Sequence, residues 1–259
     1  MAGISLKPGL RVVVTAGASG IGRSIADLLI ENGARVHVCD VSEPHLADFR
    51  RAYPGQGASI CDVSQEEAVA GLFEEVSRAF GGLDALINNA GIAGPTGGVE
   101  DIAPADWRRT IDVCLTGQFL CTHYGVPLLK QAGEGSIVNL SSAAGRYGYA
   151  FRTPYSAAKW GVIGFTQSLA KELGPSGIRV NAILPGIIRG PRMEGVIRDR
   201  ATQVGVPYAQ MEQEYLNRIS LRRMTGPEDV AAMVLFLLSP AGNNISGQSL
   251  GVDGNVESL

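Results

Sequence analysis

The sequence predicts an α/β fold, a single domain at residues 1–259 in which a doubly wound parallel sheet of about seven strands carries helices on both faces. Three observations support this. Short apolar, β-branched runs, which are typical of strands, alternate with longer amphipathic runs, which are typical of helices. A glycine-rich turn joins the first predicted strand to the first predicted helix. The 259 residues suffice for one large hydrophobic core. Since right-handed crossovers join parallel strands, we expect a ligand site at their carboxyl ends.

The predicted strands are short, buried and rich in Val, Ile and Leu. They lie at about residues 10–15, 35–39, 57–61, 83–88, 136–141, 178–184 and 248–252. Helical patterns lie at about residues 20–32, 65–80, 105–131, 154–173 and 227–239, with a weaker one at about 43–52. Thr153 is predicted as the N-cap of the helix at 154–173, with Pro154 as its first residue.

The segment at about residues 185–225 departs from this alternation. It opens with Pro185 and Gly186, carries many charges, and contains an amphipathic stretch at about 208–218. A long connection of this kind in a compact domain commonly covers a binding site. We therefore expect it to act as a substrate lid.

The composition argues against several function classes. The formal net charge is −3 and the basic residues are scattered, so nucleic acid is not an expected partner. No apolar run reaches the roughly 18 residues that span a bilayer, and the first strand starts close to Met1, so we expect a cytoplasmic protein without a membrane segment or signal peptide. The cysteines and histidines show neither CxxC nor metal-ligand spacing, which predicts no metal and no disulfide.

A glycine-rich turn, TAGASGIG at residues 15–22, follows the first strand directly and leads into a helix. Small residues there allow the backbone to approach a pyrophosphate at the helix N-terminus, where free N–H groups favour an anion. The alternative is a strand-to-helix turn without a ligand. Asp40 ends the second strand, where a carboxylate can accept hydrogen bonds from an adenosine ribose, and this second signal favours a dinucleotide site. The candidates in the turn are Gly17, Ser19, Gly20, Ile21 and Gly22.

Tyr155 and Lys159 lie at i and i+4 of a predicted helix and therefore share one face. An ammonium about 4 Å from a phenolate contributes roughly 4 kcal/mol at an effective dielectric near 20, enough to lower the pKa of the phenol. Tyr155 then becomes a usable base near neutral pH. By itself, however, a Tyr-x-x-x-Lys pattern is common and has little specificity.

Taken with further motifs, the sequence resembles the short-chain dehydrogenase/reductase family over essentially its whole length. The motifs are CDV at residues 61–63, NNAG at 88–91, SS at 141–142 and PG at 185–186, in the order and spacing of that family. The resemblance implies a Rossmann-type fold and an oxidoreductase with Ser142, Tyr155 and Lys159 as catalytic residues, Ser141 being the weaker serine candidate. No GxSxG motif supports a hydrolase.

The resemblance also implies how a dinucleotide is bound. Asp62 and Val63 are expected to hold the adenine, Asn89 the adenosine side, Lys159 the nicotinamide ribose, and the backbone near Ile188 the carboxamide. The full predicted set of cofactor-binding residues is Gly17, Ser19, Gly20, Ile21, Gly22, Asp40, Asp62, Val63, Asn89, Gly91, Tyr155, Lys159, Pro185, Gly186 and Ile188. NAD is favoured over NADP because the Asp40 carboxylate repels a 2′-phosphate and the turn carries no basic residue before Arg23.

Three positions depart from the family pattern. Ala16 replaces the leading glycine of the turn, so we expect a backbone angle there that tolerates a Cβ. Cys114 stands where the family usually has an asparagine that supports a water on the catalytic lysine; retained activity is favoured, with a buried helical thiol as the alternative. Gly190 replaces a threonine that often touches the nicotinamide side, so that contact is expected to be lost.

The substrate is predicted to be a small, polar, anionic secondary alcohol or ketone, because arginines cluster in the segments expected to border the pocket. Arg146 and Arg192 are favoured, since a planar guanidinium can hold a carboxylate bidentately. Alternatively, these arginines face water or pair with a nearby carboxylate. A narrower likeness is to dehydrogenases of 2-keto-3-deoxy sugar acids such as 2-keto-3-deoxy-L-fuconate. The full set of candidates is Arg146, Arg152, Arg189 and Arg192.

Two rival functions and one assembly state complete the predictions. Within the family, a 3-oxoacyl carrier-protein reductase would use NADPH, which Asp40 disfavours. An alternative from another functional class is a regulator that binds a dinucleotide but no longer catalyses a reaction. The unusual residue Cys114 is compatible with this alternative, whereas the presence of Ser142 and Tyr155 argues against it. A homotetramer is predicted from the resemblance and from small residues that permit close helix packing, with packing inside one subunit as the alternative. These small residues are Ala157, Ala158, Gly161 and Gly164.

Overall fold

The computed structural model describes residues 4–256, and a seven-stranded parallel sheet forms its centre. The strands are β1 (Arg11–Thr15), β2 (Arg35–Asp40), β3 (Gly57–Ile60), β4 (Ala85–Asn88), β5 (Gly135–Leu140), β6 (Ile178–Pro185) and β7 (Ser249–Val252). Their order is β3-β2-β1-β4-β5-β6-β7, with every neighbouring pair parallel. The predicted fold class and strand positions are confirmed.

Helices connect these strands and cover both faces of the sheet. They are α1 (Gly20–Glu31), α2 (Glu43–Ala52), α3 (Glu66–Phe80), α4 (Pro104–Ile111), α5 (Gly117–Ala132), α6 (Thr153–Leu173), α7 (Pro191–Val204), α8 (Tyr208–Asn217) and α9 (Pro227–Leu238). Helix α7 was not predicted from the sequence. Its PRMEGVIRDRATQV sequence buries only Val196, Ile197 and Ala201, too few to give a clear apolar period.

Two hydrophobic layers hold the helices against the sheet. Because successive side chains of a buried strand point to opposite faces, Val12 and Val14 pack in one layer and Val13 in the other. The first layer includes Leu29 of α1 and Val234 of α9. The second layer includes side chains from α3, α5 and α6. A sheet buried on both faces explains why the strands appear in the sequence as continuous apolar runs.

The predicted helix at 105–131 is interrupted. Residues Asp112–Thr116 form a π-helical turn between α4 and α5, which inserts an extra residue per turn and shifts the side chains that follow. The predicted helical run at about 105–131 is confirmed, since the backbone stays helical from Pro104 to Ala132. The π-helical turn within it was not predicted.

The predicted N-cap of α6 was also wrong. Arg152 is the N-cap, and Thr153 is the first helical residue, because the Ser156 N–H donates to the Arg152 carbonyl oxygen over 3.0 Å. Pro154 is consequently the second helical residue. The Thr153 hydroxyl is buried and has no hydrogen-bond partner. A residue type that usually caps helices is thus placed one position too late to do so.

Residues 187–219 form a small unit beside the carboxyl ends of the strands. Its own hydrophobic cluster includes Ile197 of α7 and Tyr215 of α8. Ile188 forms an isolated bridge with Thr225, which ties the start of the segment to its end. The segment is therefore helical and packed, and its role as a lid stays a prediction. Within residues 4–256, no helix is both long enough and apolar enough to cross a membrane.

Candidate active site

The beginning of α6 places a phenol and an ammonium at the carboxyl edge of the sheet. Tyr155 is half-buried, and Lys159, one turn later, is 3% exposed. The Lys159 Nζ atom lies 5.7 Å from the centroid of the Tyr155 ring. The one-turn spacing of the two residues therefore produces the proximity that the sequence predicted.

The electrostatic environment of Tyr155 favours its phenolate. Burial is the largest influence and opposes the charged form. Against it act the positive charges of Lys159 and Arg192 and a hydrogen bond with the Ser142 side chain. These effects outweigh burial and hold the pKa of Tyr155 below its ordinary value. The phenol is thereby suited to accept a proton from an alcohol.

A buried carbonyl oxygen fixes the position of Lys159. The Nζ atom donates to the Leu140 carbonyl oxygen over 2.7 Å, and the Gln118 amide donates to the same oxygen over 3.1 Å. Gln118 is 2% exposed on α5. It is a supporting residue that the sequence analysis missed, since a lone glutamine in a helical pattern gives no signal of function.

The two adjacent serines have different surroundings. The Ser141 hydroxyl is buried and donates to the Lys159 carbonyl oxygen over 2.7 Å, so it is engaged by the backbone of α6. Ser142 is only half-buried, and its side chain is near enough to Tyr155 to help lower the pKa of the phenol. Its Oγ also accepts from the Ala144 N–H over 3.2 Å, which keeps the side chain in place. Of the two, Ser142 is the one whose hydroxyl faces the reactive phenol.

Cys114 lies in the π-helical turn and is fully buried. Its Sγ accepts from the Ile92 N–H and donates to the Ile92 carbonyl oxygen, each over 3.4 Å. A Cβ placed on Gly91 would lie 3.6 Å from both Cys114 Sγ and Lys159 Nζ, so the thiol and the ammonium border the same small space. Cys114 thus binds the loop after β4 beside the lysine.

The turn at residues 15–22 is held by close backbone contacts. A Cβ on Gly22 would lie 2.1 Å from the Ala16 carbonyl oxygen, and a Cβ on Gly17 would lie 2.6 Å from Val38 Cγ1. The Asn89 amide donates to the carbonyl oxygens of Thr15 and Ala16 over 2.9 and 3.1 Å. Only glycine fits at positions 17 and 22 without displacing neighbouring atoms.

Ala16 adopts a left-handed conformation with φ 48°. The expectation that its backbone angle would suit a residue with a Cβ was therefore wrong. A Cβ in this region approaches the following carbonyl oxygen and costs roughly 1–2 kcal/mol. The Asn89 bonds and the packing of Gly22 against the Ala16 carbonyl force the turn into this shape in spite of the cost.

The N-terminus of α1 and the end of β2 suit two parts of a dinucleotide, the pyrophosphate and a ribose. The Ser19 side chain makes no cap bond and the first turn of α1 carries no acidic residue, so its N–H groups are available to a pyrophosphate. Asp40 is 7% exposed, and its oxygens accept from the N–H groups of Ala18 and Ser42 over 3.4 and 3.1 Å. The Asp40 carboxylate is thus fixed beside the turn, where a ribose would lie.

The other predicted cofactor-binding residues lie along the same edge. Asp62 accepts from Ser64 and Arg109; although partial burial acts against it, these bonds hold the pKa of the Asp62 carboxyl below its ordinary value. Val63 is buried against Gly117. Pro185 ends β6, and a Cβ on Gly186 would lie 2.6 Å from Asp253 Cβ. These contacts define positions, and cofactor binding by these residues stays a prediction.

The four candidate arginines are not brought together. Arg146 is exposed and donates to the Ser249 carbonyl oxygen over 3.0 Å, and Arg189 pairs with Glu228 at the exposed surface. Arg192 lies 5.8 Å from the Tyr155 ring centroid and donates to the Gly91 carbonyl oxygen over 3.2 Å. Arg152 is buried, with its guanidinium carbon 5.0 Å from the same centroid. Thus two of the four border the reactive tyrosine.

A tyrosine that the sequence analysis missed connects this site to α8. The Tyr149 hydroxyl lies 2.8 Å from the Tyr215 hydroxyl, and the Arg152 guanidinium stacks on the Tyr149 ring at 5.1 Å. Burial, together with the neighbouring Tyr215, raises the pKa of Tyr149 far above its ordinary value, so its hydroxyl stays protonated. No short-range sequence signal predicts this pair because 66 residues separate its members.

Comparisons with known proteins give the same picture for almost the entire chain. A family model described as Enoyl-(Acyl carrier protein) reductase matches residues 15–256. The chain is 40% identical over 247 residues to the cis-4-hydroxycyclohexanecarboxylate dehydrogenase of Sinomonas cyclohexanicum, which covers 93% of this chain and 94% of that protein.

Two solved structures share the fold. NAD+-bound xylitol dehydrogenase superimposes with a TM-score of 0.91 at 30% identity, covering 95% of this chain and 98% of the other. A variant of actinorhodin polyketide ketoreductase with NADPH superimposes with a TM-score of 0.90 at 32% identity, covering 100% of both chains. Each superposition covers at least 95% of this chain.

Proposed function

The chain belongs to the short-chain dehydrogenase/reductase family, and on this premise we propose that it transfers hydride between NAD and the secondary alcohol of a small, polar hydroxy acid or sugar-acid derivative. It is an oxidoreductase that acts on CH–OH groups. The single observation that carries the proposal is the surrounding of Tyr155, where Lys159, Arg192 and Ser142 all favour the phenolate.

In the proposed reaction, the Ser142 hydroxyl and the Tyr155 phenol hold the alcohol oxygen. Tyr155 in its phenolate form takes the alcohol proton, and Lys159 stabilises that form before the transfer. Bound NAD supplies the hydride acceptor for the carbinol carbon. In the reverse direction the protonated Tyr155 returns the proton to the carbonyl oxygen.

NAD is preferred in this proposal because of Asp40. Its buried carboxylate can accept bonds from a ribose 2′-hydroxyl and repels a 2′-phosphate. The nearest basic residue after the turn, Arg23, is engaged by Asp27 at 2.6 Å and stacks on Phe49 and Tyr53. Comparing kcat/KM for NAD and NADP tests the assignment. A preference for NADP would overturn it.

The hydroxy-acid class is supported by two observations of different kinds. Arg192 and Arg152 border the Tyr155 ring, and the relative from Sinomonas is named for a hydroxycyclohexanecarboxylate. The test is a panel of sugar acids, hydroxycyclohexanecarboxylates, polyols, steroids and acyl thioesters with both coenzymes. Activity highest on the acids is expected. Activity highest on acyl thioesters with NADPH would favour the rival acyl-carrier-protein reductase. The matching family model is also described by an acyl-carrier-protein substrate.

The homotetramer belongs to the same proposal. Of the small residues on α6, Ala158 is buried within the chain and Gly161 packs against Leu115, whereas Ala157 and Gly164 are exposed. Exposed aromatic side chains on α4, α5 and α6 add apolar surface, namely Trp107, Phe119 and Trp160. Such surface on a folded chain commonly marks an interface. Light scattering at micromolar concentration should give four chain masses, and a single chain mass would refute the assembly.

A further inference from the structure

We propose that Arg152 binds the carboxylate of the substrate and determines the preference of the enzyme for anionic over neutral alcohols. The inference rests on the proposed function and assigns a specific residue to it. Arg192, on the other side of Tyr155, then acts mainly on the phenol. Arg152 is buried, is the N-cap of α6 and lies beside the reactive tyrosine.

The Arg152 guanidinium is a buried charge without a counter-ion. The residue is 3% exposed, and within residues 4–256 no carboxylate oxygen lies within the 4.0 Å of an ion pair with it. The arginines that do pair with carboxylates are Arg11, Arg23, Arg50, Arg51, Arg109 and Arg189. A buried cation without a counter-ion is unfavourable unless an anionic ligand neutralises its charge.

The hydrogen bonds of Arg152 leave a donor for that ligand. Its Nη2 atom donates to the Ala93 carbonyl oxygen over 2.5 Å, which fixes the side chain. Its Nε atom is buried and has no partner. Arginine recognises carboxylates through neighbouring N–H groups in one plane, so an orphaned Nε–H is the donor that such a ligand would use.

The position of Arg152 is unfavourable for α6. It is the N-cap, where oxygen-bearing side chains are preferred and where the helix dipole repels a cation. Thr153, the next residue, has the chemistry of a cap yet its hydroxyl is orphaned. The chain thus places a positive charge at the end of the helix that disfavours it most. An anionic ligand at this point would be stabilised by both the guanidinium and the helix dipole.

The same position puts the guanidinium beside the reacting group. Its carbon lies 5.0 Å from the Tyr155 ring centroid and 5.1 Å from that of Tyr149, so the side chain contacts both rings. The Tyr149 hydroxyl is hydrogen-bonded to the Tyr215 hydroxyl of α8, which fixes the position of the Tyr149 ring. A small hydroxy acid can therefore place its carboxylate on Arg152 and its alcohol at Tyr155.

The binding experiment uses the full-length chain with NAD and two matched probes, cyclohexanecarboxylate and cyclohexanecarboxamide, which differ in charge and lack an alcohol. By calorimetry, the wild type should bind the carboxylate about tenfold or more tightly than the carboxamide, as expected for a charged hydrogen bond. Arg152→Met should lose this preference. The matched control Arg78→Met removes an exposed arginine of α3 whose Nε bonds the Glu74 carbonyl, and it should keep the preference.

Several outcomes would overturn the inference. They are equal binding of the two probes by the wild type, and an Arg152→Met variant that keeps the tenfold preference. If Arg152→Met fails to fold, Arg152→Lys keeps the charge but lacks the planar fork, and it should retain only part of the preference. An unchanged preference in Arg152→Lys would also contradict the role assigned to the fork.

A kinetic measurement separates this inference from the proposed function. With 4-hydroxycyclohexanecarboxylate and its carboxamide as substrates, Arg152→Met should lower kcat/KM for the acid by about tenfold or more and leave that for the amide nearly unchanged. Equal losses on both substrates would mean that Arg152 only holds the Ala93 loop, and would refute carboxylate recognition. If the wild type oxidises no alcohol with NAD, the proposed function fails, while the preference between the two probes still decides the role of Arg152.

Discussion

The turn at residues 15–22 and the segment at residues 185–225 each follow the carboxyl end of a strand, β1 and β6, but are held by different kinds of contact. In the turn, backbone atoms approach so closely that a Cβ on Gly22 would lie 2.1 Å from the Ala16 carbonyl oxygen. In the segment, side chains hold α7 and α8 through a small apolar cluster, and Gly195 has open space around it. At positions 17 and 22 the turn thus has room only for glycine, whereas position 195 of the segment has room for a side chain.

This difference fits the parts of the reaction that each region is proposed to serve. A coenzyme pyrophosphate is the same for every enzyme that uses it, and backbone N–H groups bind it whatever the side chains are. A substrate differs from enzyme to enzyme, so side chains such as Arg152 and Arg192 must recognise it. Four predictions test whether the two regions can be changed separately.

The largest effect is expected at Tyr155 of α6, which lies outside both regions. Tyr155→Phe removes the proton acceptor and should lower kcat for alcohol oxidation by about 100-fold or more, since general-base catalysis contributes that much. NAD binding, measured by calorimetry, should be nearly unchanged because the turn is intact. The control Tyr124→Phe removes a phenol that bonds Glu66 on an exposed surface and should keep full activity. A Tyr155→Phe enzyme with a tenth of the wild-type kcat would exclude Tyr155 as the base.

The next largest effect is expected in the turn. Gly22→Ala inserts a Cβ against the Ala16 carbonyl and the Asn89 amide, which should destabilise the fold by about 1–3 kcal/mol and weaken NAD binding. Denaturant unfolding and NAD titration measure the two changes. Gly71→Ala is the matched control, since Gly71 lies in α3 with nothing near its Cβ position, and it should gain about 0.5–1 kcal/mol. Unaltered NAD binding in Gly22→Ala would show that the turn is looser than its contacts indicate.

A smaller effect, visible in a pH profile, is expected from Arg192. Its charge helps to lower the pKa of Tyr155, and the phenolate is the form that accepts the alcohol proton. Arg192→Met removes that charge and should raise the pKa of Tyr155, so the rise of kcat/KM for oxidation should move to higher pH. Arg198→Met, on the same helix but not among the residues that act on Tyr155, should leave the profile in place. A shift to lower pH would contradict the assigned influence.

The smallest effect is expected at Ala16. Its φ of 48° is readily adopted by glycine but not by alanine, so Ala16→Gly should stabilise the fold. The strain released exceeds the extra entropy of glycine in the unfolded chain by only about 0.5–1 kcal/mol. Thermal unfolding at equal NAD concentration checks it. A lower midpoint would indicate that the turn relaxes to accommodate alanine.

Much of the fold was predictable because its signals are local. Each buried strand is a short run of branched residues, and such runs define the ends of β1 and β2, close to which Gly17 and Asp40 stand. Tyr155 and Lys159 were predicted to be close because a helix brings i and i+4 together. The π-helical turn at Asp112–Thr116 and helix α7 were not predicted, since neither leaves an apolar period of its own.

The four candidate arginines show which features such local signals do not predict. In sequence, Arg146 and Arg192 appeared better placed than Arg152, because Arg146 follows Ser142 by four positions and Arg192 begins the predicted lid. In the structure, Arg146 bonds a carbonyl oxygen of β7, and Arg152 is the buried one beside Tyr155. Which way a side chain points from a loop depends on where that loop packs, and the partners are 103 residues away for Arg146 and 59 for Arg152.

The sequence by itself therefore determined the alternation of strands and helices, the glycine-rich turn and the spacing of the tyrosine and lysine, since backbone geometry links neighbouring residues. Only the tertiary structure decided that Leu140 offers its carbonyl to Lys159, that Asn89 fixes the turn, and that Arg152 is buried without a counter-ion. These features depend on contacts between segments far apart in the chain. Hydrogen bonding and desolvation act on distances in space, which the order of residues does not specify until the chain has folded.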